Sequence, residues 1–190
     1  MNAKLHRNEH GITALETAII LIAFVVVAAI FAFTVLSTGT FLTEKSKEAS
    51  YAGLQEVRGS LALRGSVVIT GTGQNSASRI IVTLGPVAGG SSVDVSQISI
   101  TYRDKNSSYN VPFSTSLGAT PSFSVTTPAG VGLPGNILDQ GSLGVFTIAP
   151  ATNITLPYFT FGLEIKPPTG GVLLVERTTP ALIDTVTDLK

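Results

Sequence analysis

Residues 17–43 contain no charged side chain. Within them, residues 18–36 are apolar except for Thr34, and this length is close to the roughly 20 residues with which a helix crosses a bilayer core. Apolar side chains would cover every face of such a helix, so it must be buried all round, in lipid or in protein. Lys4 and Arg7 precede the stretch, which predicts that the N-terminus stays cytoplasmic and the C-terminus lies outside the membrane.

The helix is predicted to continue past the apolar stretch. Residues 43–58 contain closely spaced opposite charges, such as Lys45 and Glu48, and Gly59 follows as a candidate helix stop. A helix over residues 12–58 would be roughly 70 Å long at ~1.5 Å per residue. No small globular domain can bury a helix of that length by itself, so we expect it to contact other chains.

Beyond Gly59 the pattern becomes that of a β-domain. Apolar and polar residues alternate over residues 158–165, which predicts a half-buried strand. Alternation also occurs over residues 93–102, but its phase changes near Gln97, which indicates a bulge or a strand boundary. Further strands are predicted at residues 66–70, 79–84, 108–113, 121–126, 143–148 and 172–177. About eight short strands, separated by turns rich in Gly, Ser and Pro, predict a β-sandwich.

The small residue Gly11 lies before the apolar stretch, whereas a secretory signal has its cleavage site after the apolar segment. Cleavage at Gly11 would therefore remove only a polar leader and leave the apolar helix on the mature protein. Glycine suits such a position because the backbone must approach a peptidase closely and no Cβ obstructs it.

Glu16 is a carboxylate at the border of a long apolar helix, where an unpaired charge is costly to bury. One interpretation is that it pairs with the new ammonium group of Ile12, in its own subunit or in a neighbour, and sets the axial register of a bundle. The other is that it caps the helix at a membrane surface and needs no partner. The position of Glu16 relative to Gly11 favours the first interpretation.

Composition argues against several other classes of protein. The chain has 190 residues with 12 basic and 12 acidic side chains, so no basic excess indicates nucleic-acid binding. Cysteine is absent, and both histidines, His6 and His10, would be lost with the leader. The mature chain would then lack histidine, the usual general base and commonest metal ligand, and cysteine, the strongest nucleophile. We therefore expect no enzyme activity, no cofactor, no metal site and no small-molecule substrate.

The segment GITALETAIILIAFVVVAAIFAF, which begins at Gly11, resembles the class III signal and N-terminal helix of archaellins, the archaeal flagellins related to type IV pilins. The similarity continues through TEKSKEASYAGLQEVRGSLALRGSVV and returns in VERTTP at residues 175–180. The N-terminal match is specific to pilin-type subunits, and the C-terminal match favours archaellin. One difference is that Glu9 and His10 precede the glycine, where the family usually has Lys or Arg.

The resemblance implies an α+β chain in three parts. These are a class III leader peptide (residues 1–11), a hydrophobic helix that transiently spans the membrane and then forms the filament core (residues 12–59), and an outer immunoglobulin-like β-sandwich (residues 60–190). A prepilin peptidase would cleave between Gly11 and Ile12. The subunits would then polymerise into an extracellular filament for swimming, assembled by a membrane platform and its ATPase. Glu16 falls at the family's position for the acidic residue after cleavage.

We predict that subunits contact one another at these helix positions: Ile12, Glu16, Ile19, Ile22, Val26, Ala29 and Phe33. Two N-glycosylation sequons, beginning at Asn106 and Asn153, are predicted in loops of the outer domain. Two alternatives remain open: a type IV pilin subunit for adhesion, and a single-pass membrane protein with an extracellular β-domain. A deletion strain that no longer swims but still attaches to surfaces would support the archaellin.

Overall fold

A computed structural model of the chain describes residues 6–71, 73, 76–118, 121–155 and 157–189. The chain divides into two compact units, Met1–Tyr51 and Ala52–Lys190. The described part of the first unit is helical, and the second unit contains the last turns of the same helix followed by the β-domain. The domain boundary expected at residue 59 stays a prediction.

Helix α1 spans His6–Arg58 and has 53 residues, which corresponds to about 80 Å at 1.5 Å per residue. It covers the predicted helix and begins earlier, inside the segment predicted to be a leader. No proline interrupts these residues, and alanine and leucine favour the helical conformation. The expected pair of Lys45 and Glu48 is present, with Nζ and Oε2 2.6 Å apart.

Gly59 ends α1, as predicted from the sequence. Its N–H donates to the carbonyl of Gln55 at 3.0 Å, and the N–H of Ser91 donates to the carbonyl of Arg58 at 2.9 Å. A Cβ at Gly59 would overlap the carbonyl oxygen of Thr169, so the close approach requires glycine. The end of the helix is therefore fixed to two loops of the β-domain.

The β-domain consists of two larger antiparallel sheets and a short two-stranded one. In chain order the strands of the described residues are β1 (Leu61–Thr70), β2 (Arg79–Pro86), β3 (Val93–Asp94), β4 (Ser99–Asp104), β5 (Ser108–Val111), β6 (Ser122–Thr126), β7 (Ile137–Leu138), β8 (Gly144–Ala149), β9 (Thr160–Lys166), β10 (Leu173–Thr178) and β11 (Val186–Leu189). The first sheet has the order β11-β1-β2-β8-β6, the second has the order β10-β9-β4-β5, and β3 pairs with β7.

The two larger sheets share one hydrophobic core. In β9 the side chains of Phe161, Leu163 and Ile165 are buried and their neighbours are not, which confirms the half-buried strand expected there. From the first sheet, Phe123 and Phe146 are fully buried, with ring centroids 6.3 Å apart. The predicted α+β architecture, a long helix followed by a β-sandwich, is confirmed.

The change of phase near Gln97 has a local cause. A 3₁₀ turn, Val95–Gln97, separates β3 from β4. The carboxylate of Asp94 accepts a hydrogen bond from the N–H of Ser96 at 2.9 Å and so caps this turn. The turn is the strand boundary that the alternation indicated.

Two strands have no counterpart among those expected from the sequence. Both β7 and β11 are short, and each buries a single side chain, Leu138 and Leu189, so no alternation develops in either. Strand β1 also begins earlier than expected. Its register shifts between Leu63 and Val67, beside three exposed residues that obscure the pattern.

Candidate assembly site

The side chains of α1 form a continuous exposed surface. Every residue from Gly11 to Arg58 is exposed, including large apolar ones such as Ile12 at 65% and Phe33 at 72%. In the described part of the chain, this segment is the one helix long and apolar enough to cross a membrane. Exposed apolar surface of this extent marks an interaction site, either with lipid or with other protein.

All the positions predicted for subunit contacts lie on this exposed surface: Ile12, Glu16, Ile19, Ile22, Val26, Ala29 and Phe33. Alanines distributed along the same stretch allow close approach of a second helix. The β-branched side chains have few rotamers to lose on packing. The surface is therefore suited to dense contact with another apolar helix.

Threonine hydroxyls within the uncharged stretch are bonded inside the helix. Thr34 Oγ1 donates to the carbonyl of Phe31, Thr38 Oγ1 to that of Thr34, and Thr43 Oγ1 to that of Gly39, each at 2.8 Å. A hydroxyl that is already bonded costs less to bury than a free one. The more polar end of the stretch can therefore be covered by another helix as well.

Glu16 lies on the exposed surface of α1, immediately before the uncharged stretch. Gly11 and Ile12, the predicted cleavage pair, lie about one turn earlier in the same helix. A Cβ at Gly11 would meet no atom within 4 Å. Packing within the described chain thus gives no reason for glycine at this position.

The structure brings the two glycosylation sequons together. Asn106 lies in the turn between β4 and β5, Asn153 lies in the connection between β8 and β9, and both are exposed. Both residues line one surface cavity of about 220 Å³. Their predicted location in loops is confirmed, while their modification remains a prediction.

Asp104 organises the turn that carries Asn106. Its Oδ1 accepts hydrogen bonds from the N–H groups of Asn106 at 2.7 Å and Ser107 at 2.6 Å, and its Oδ2 accepts one from the Ser107 hydroxyl at 2.9 Å. Burial alone would raise the pKa of Asp104, but these bonds and one from Tyr102 outweigh it and hold the pKa below its usual value. The ionised carboxylate therefore stabilises the turn.

A pair of tyrosines supports the other sequon loop. The rings of Tyr102 and Tyr109 stack with centroids 5.1 Å apart, and burial raises the pKa of both hydroxyls. The Tyr109 hydroxyl oxygen accepts a hydrogen bond at 2.9 Å from the N–H of Ala151, two residues before Asn153. The connection between β8 and β9 is thereby tied to the second sheet.

Carboxylates in the described residues do not gather into a cation site: no group of three or more His, Cys, Asp or Glu there could hold a metal ion. The sequon cavity contains one carboxylate, that of Asp104, and its oxygens are occupied by hydrogen bonds. Asp104 therefore stabilises the turn between β4 and β5.

Sequence reasoning missed the residues that join the helix end to the β-domain. The hydroxyl of Ser60 accepts a hydrogen bond at 3.0 Å from the N–H of Gly171, and Gly170 beside it has a φ of +112°. The adjacent glycines indicated a turn, but alternation and composition carry no signal for which distant segment packs against it. The contact follows only from the folded topology.

A helix with a long exposed, uncharged stretch, followed by a β-sandwich with its own core, is the arrangement of a pilin-like filament subunit. The family model for archaeal-type flagellin matches residues 11–177. The chain is 30% identical to "Probable flagellin 1" of Archaeoglobus fulgidus over 98% of both chains. It is 33% identical to "Probable flagellin 1" of Aeropyrum pernix over 94% of this chain and 96% of the relative.

Solved structures give the same result. The archaeal flagellum of Methanospirillum hungatei aligns with a TM-score of 0.62 and 28% identity, over 92% of this chain and 97% of that one. A crystal structure of an archaeal flagellin from Methanocaldococcus jannaschii has a TM-score of 0.55 and 17% identity, over 68% of this chain and 95% of that one, and supports the fold alone.

The chain belongs to the archaeal-type flagellin family. It is a structural subunit of the archaellum, the extracellular filament with which archaea swim, and forms a homopolymer there. These findings do not favour the alternative of an adhesion pilin.

Proposed function

We propose that this archaellin is made as a membrane-inserted precursor, cleaved between Gly11 and Ile12, and polymerised through α1. The observation that carries the proposal is the exposed, uncharged surface of α1 over residues 17–43. A helix with all its backbone groups bonded internally and apolar side chains on every face is stable in lipid and in a bundle of like helices. A prepilin peptidase, a membrane platform and its ATPase are the partners that this route requires.

The transfer from lipid to filament gains little from the hydrophobic effect, because lipid tails and apolar side chains are similarly apolar. Assembly must then be driven by close packing and by charge pairing. The exposed alanines allow close approach, and the bonded hydroxyls of Thr34, Thr38 and Thr43 need no new partners. These features support contacts through the positions predicted above, from Ile12 to Phe33.

We propose that Glu16 sets the axial register of α1 against the helices of neighbouring subunits. After cleavage, Ile12 carries an ammonium group, and Glu16 is the nearest carboxylate in an otherwise uncharged surface. A subunit shifted by one helical turn would leave both charges without a partner in apolar surroundings, which is costly. The exposure of Glu16 in the single chain leaves it accessible to a neighbour's ammonium group.

For the outer domain we propose N-linked glycans at Asn106 and Asn153. Both side chains are exposed and lie in turns at the surface, where a glycan would increase solubility without entering the core. Intact-mass measurement of purified filaments tests this. Masses equal to that of the bare polypeptide would exclude both modifications.

We also propose that the chain has no catalytic activity. Its family is structural, and a mature chain that begins at Ile12 contains neither cysteine nor histidine. The carboxylate in the sequon cavity, that of Asp104, is committed to its turn.

The decisive experiment is the N-terminal sequence of the exported protein, together with its sedimentation. The proposal expects filaments whose subunits begin at Ile12. Single molecules that still begin at Met1 in surface material would overturn it and would favour a single-pass membrane protein. Loss of swimming in a deletion strain, with attachment to surfaces retained, separates motility from adhesion.

A further inference from the structure

The folded domain holds the sequon at Asn153 through its middle residue. Ile154, between Asn153 and Thr155, is 4% exposed and belongs to the hydrophobic core. Its N–H donates to the carbonyl of Ala77 at 2.8 Å, and its own carbonyl accepts from the N–H of Ala77 at 2.9 Å. This sequon is therefore anchored in the core at its centre, although Asn153 and Thr155 on either side are exposed.

The sequon at Asn106 is held in a different way, because Asn106, Ser107 and Ser108 are all exposed. The bonds of its middle residue are polar: the N–H of Ser107 donates to Asp104 Oδ1 at 2.6 Å, and the carbonyl of Ser107 accepts from the N–H of Asp104 at 2.8 Å. Strand β5, which begins at Ser108, is an edge strand of the second sheet. Opening this turn moves no buried side chain of the sequon, and water can replace the broken hydrogen bonds.

The chemistry of N-glycosylation involves two side chains of a sequon, the asparagine amide and the hydroxyl two residues later. In the transfer, the amide nitrogen loses a proton and bonds to the anomeric carbon of a sugar. The bond from that carbon to the phosphate of a lipid carrier breaks, the lipid phosphate leaves, and the proton passes to the transferase. An enzyme that contacts both side chains has to enclose the residue between them, so this residue must be free of the β-domain during the transfer.

We infer that Asn153 is glycosylated only before the β-domain folds, whereas Asn106 can still be glycosylated on the folded subunit. The inference rests on the N-linked glycans proposed above and adds the order in which they are attached. Presenting Asn153 in the folded chain requires Ile154 to leave the core and both of its bonds to Ala77 to break, so the reactive state is a minor one. Folding of the domain therefore closes one acceptor and leaves the other open.

Glycan transfer to the full-length subunit in detergent tests this order. The bare chain is made in a host without the transferase, and membranes of the organism that makes this archaellin supply the enzyme and its lipid-linked glycan. Val82→Asp is the unfolded reference, because it places a carboxylate without a partner in the core, and circular dichroism verifies the state of each chain. Chymotryptic peptides report the rate at each site, since Phe113, Phe123 and Phe146 lie between the two asparagines.

Asn153 should be modified roughly tenfold or more slowly in the folded chain than in Val82→Asp, because only the open fraction of the folded chain reacts. Asn106 should be modified at similar rates in both chains. Equal rates at Asn153, or an equally large slowing at Asn106, would overturn the inference. An asparagine that receives no glycan even in Val82→Asp would instead overturn the modification proposed for that site.

Ile154→Ala provides an independent test on a folded chain, since this variant keeps the sequon intact. The smaller side chain loses much of the burial that holds position 154, so Asn153 should be modified roughly tenfold faster than in the unmodified folded chain. The rate at Asn106 in the same molecules should stay unchanged. Ser107→Ala, at the exposed middle residue of the other sequon, is the matched control and should leave both rates unchanged. An unaltered rate at Asn153 in Ile154→Ala would refute the anchoring role of the core.

Discussion

The hydroxyl oxygen of Ser60 accepts a hydrogen bond at 3.0 Å from the backbone N–H of Gly171, a residue 111 positions later in the chain. This bond ties the residue after the helix stop to the connection between β9 and β10. Gly59 touches the same connection, where it lies against the backbone of Thr169. The last turns of α1 are thereby held to the β-domain by contacts that no local pattern in the sequence specifies.

Gly59→Ala should destabilise the β-domain by about 1–3 kcal/mol, because the new Cβ would overlap the Thr169 backbone. Ser60→Ala should cost about 1 kcal/mol, the value of one hydrogen bond. Thermal unfolding of the full-length subunit in detergent, followed by circular dichroism, measures both. Gly53→Ala is the control, since a Cβ there meets nothing within 4 Å and should stabilise the helix slightly. Equal stability of Gly59→Ala and the unmodified chain would contradict the packing described.

Gly11→Val should block removal of the leader, because the peptidase needs close access to the backbone at this position. The expected result is an uncleaved precursor retained in the membrane fraction, seen by mass spectrometry. Gly39→Val is a suitable control, since it changes another helical glycine with open space around it and should be processed normally. A mature chain beginning at Ile12 in the Gly11→Val strain would contradict the prediction.

Glu16→Gln and Glu16→Ala should lower filament yield while the β-domain stays folded. A loss of roughly tenfold or more corresponds to about 1.4 kcal/mol per subunit, a modest value for an ion pair in apolar surroundings. Sedimentation and electron microscopy measure the yield, and circular dichroism checks the fold. Glu44→Gln, just beyond the uncharged stretch, should have little effect. Normal yield from both Glu16 variants would remove the pairing role.

Thr38→Val should leave assembly unchanged, because it removes a hydroxyl that bonds only within its own helix as described, to the carbonyl of Thr34. Thr38→Asp should reduce filament yield strongly, since a carboxylate would be buried without a partner. The comparison measures whether residue 38 is covered in the polymer. Unimpaired filaments from Thr38→Asp would place this position in contact with solvent.

The lowered pKa of Asp104 predicts that the β-domain becomes less stable in acid. Its pKa in the folded chain lies below the usual 3.8, so the unfolded chain binds the proton more readily. The stabilisation is present above about pH 4 and is lost as the pH falls through the folded pKa. Asp104→Asn should lower the unfolding temperature at neutral pH. The unfolding temperature of this variant should also fall less steeply as the pH is lowered, so that the variant and the unmodified chain unfold at similar temperatures in acid. Parallel curves from pH 7 to pH 2 would rule out the contribution of Asp104.

The strands that could be predicted are those with several alternating buried side chains, such as β9 with Phe161, Leu163 and Ile165. Strands β7 and β11 could not be predicted in this way. Each buries a single leucine, so its sequence shows no alternation of apolar and polar residues. The helix and its stop at Gly59 were accessible from the sequence because charge, apolar length and a breaker residue are all local properties.

The exposed, uncharged stretch of α1, through which we propose assembly, could be predicted from the sequence because charge and apolar length are local properties. The meeting of Asn106 and Asn153 at one cavity could not, since it depends on how β4, β5, β8 and β9 are placed.

The exposure of residues 11–51 in the single chain has an evolutionary consequence. A substitution on this part of α1 alters no buried contact of the lone subunit. Natural selection therefore evaluates its effect on packing only where the helix is covered, in the membrane or in the finished polymer. The β-domain, in contrast, is screened first for its own folding and then again for its fit beside other copies.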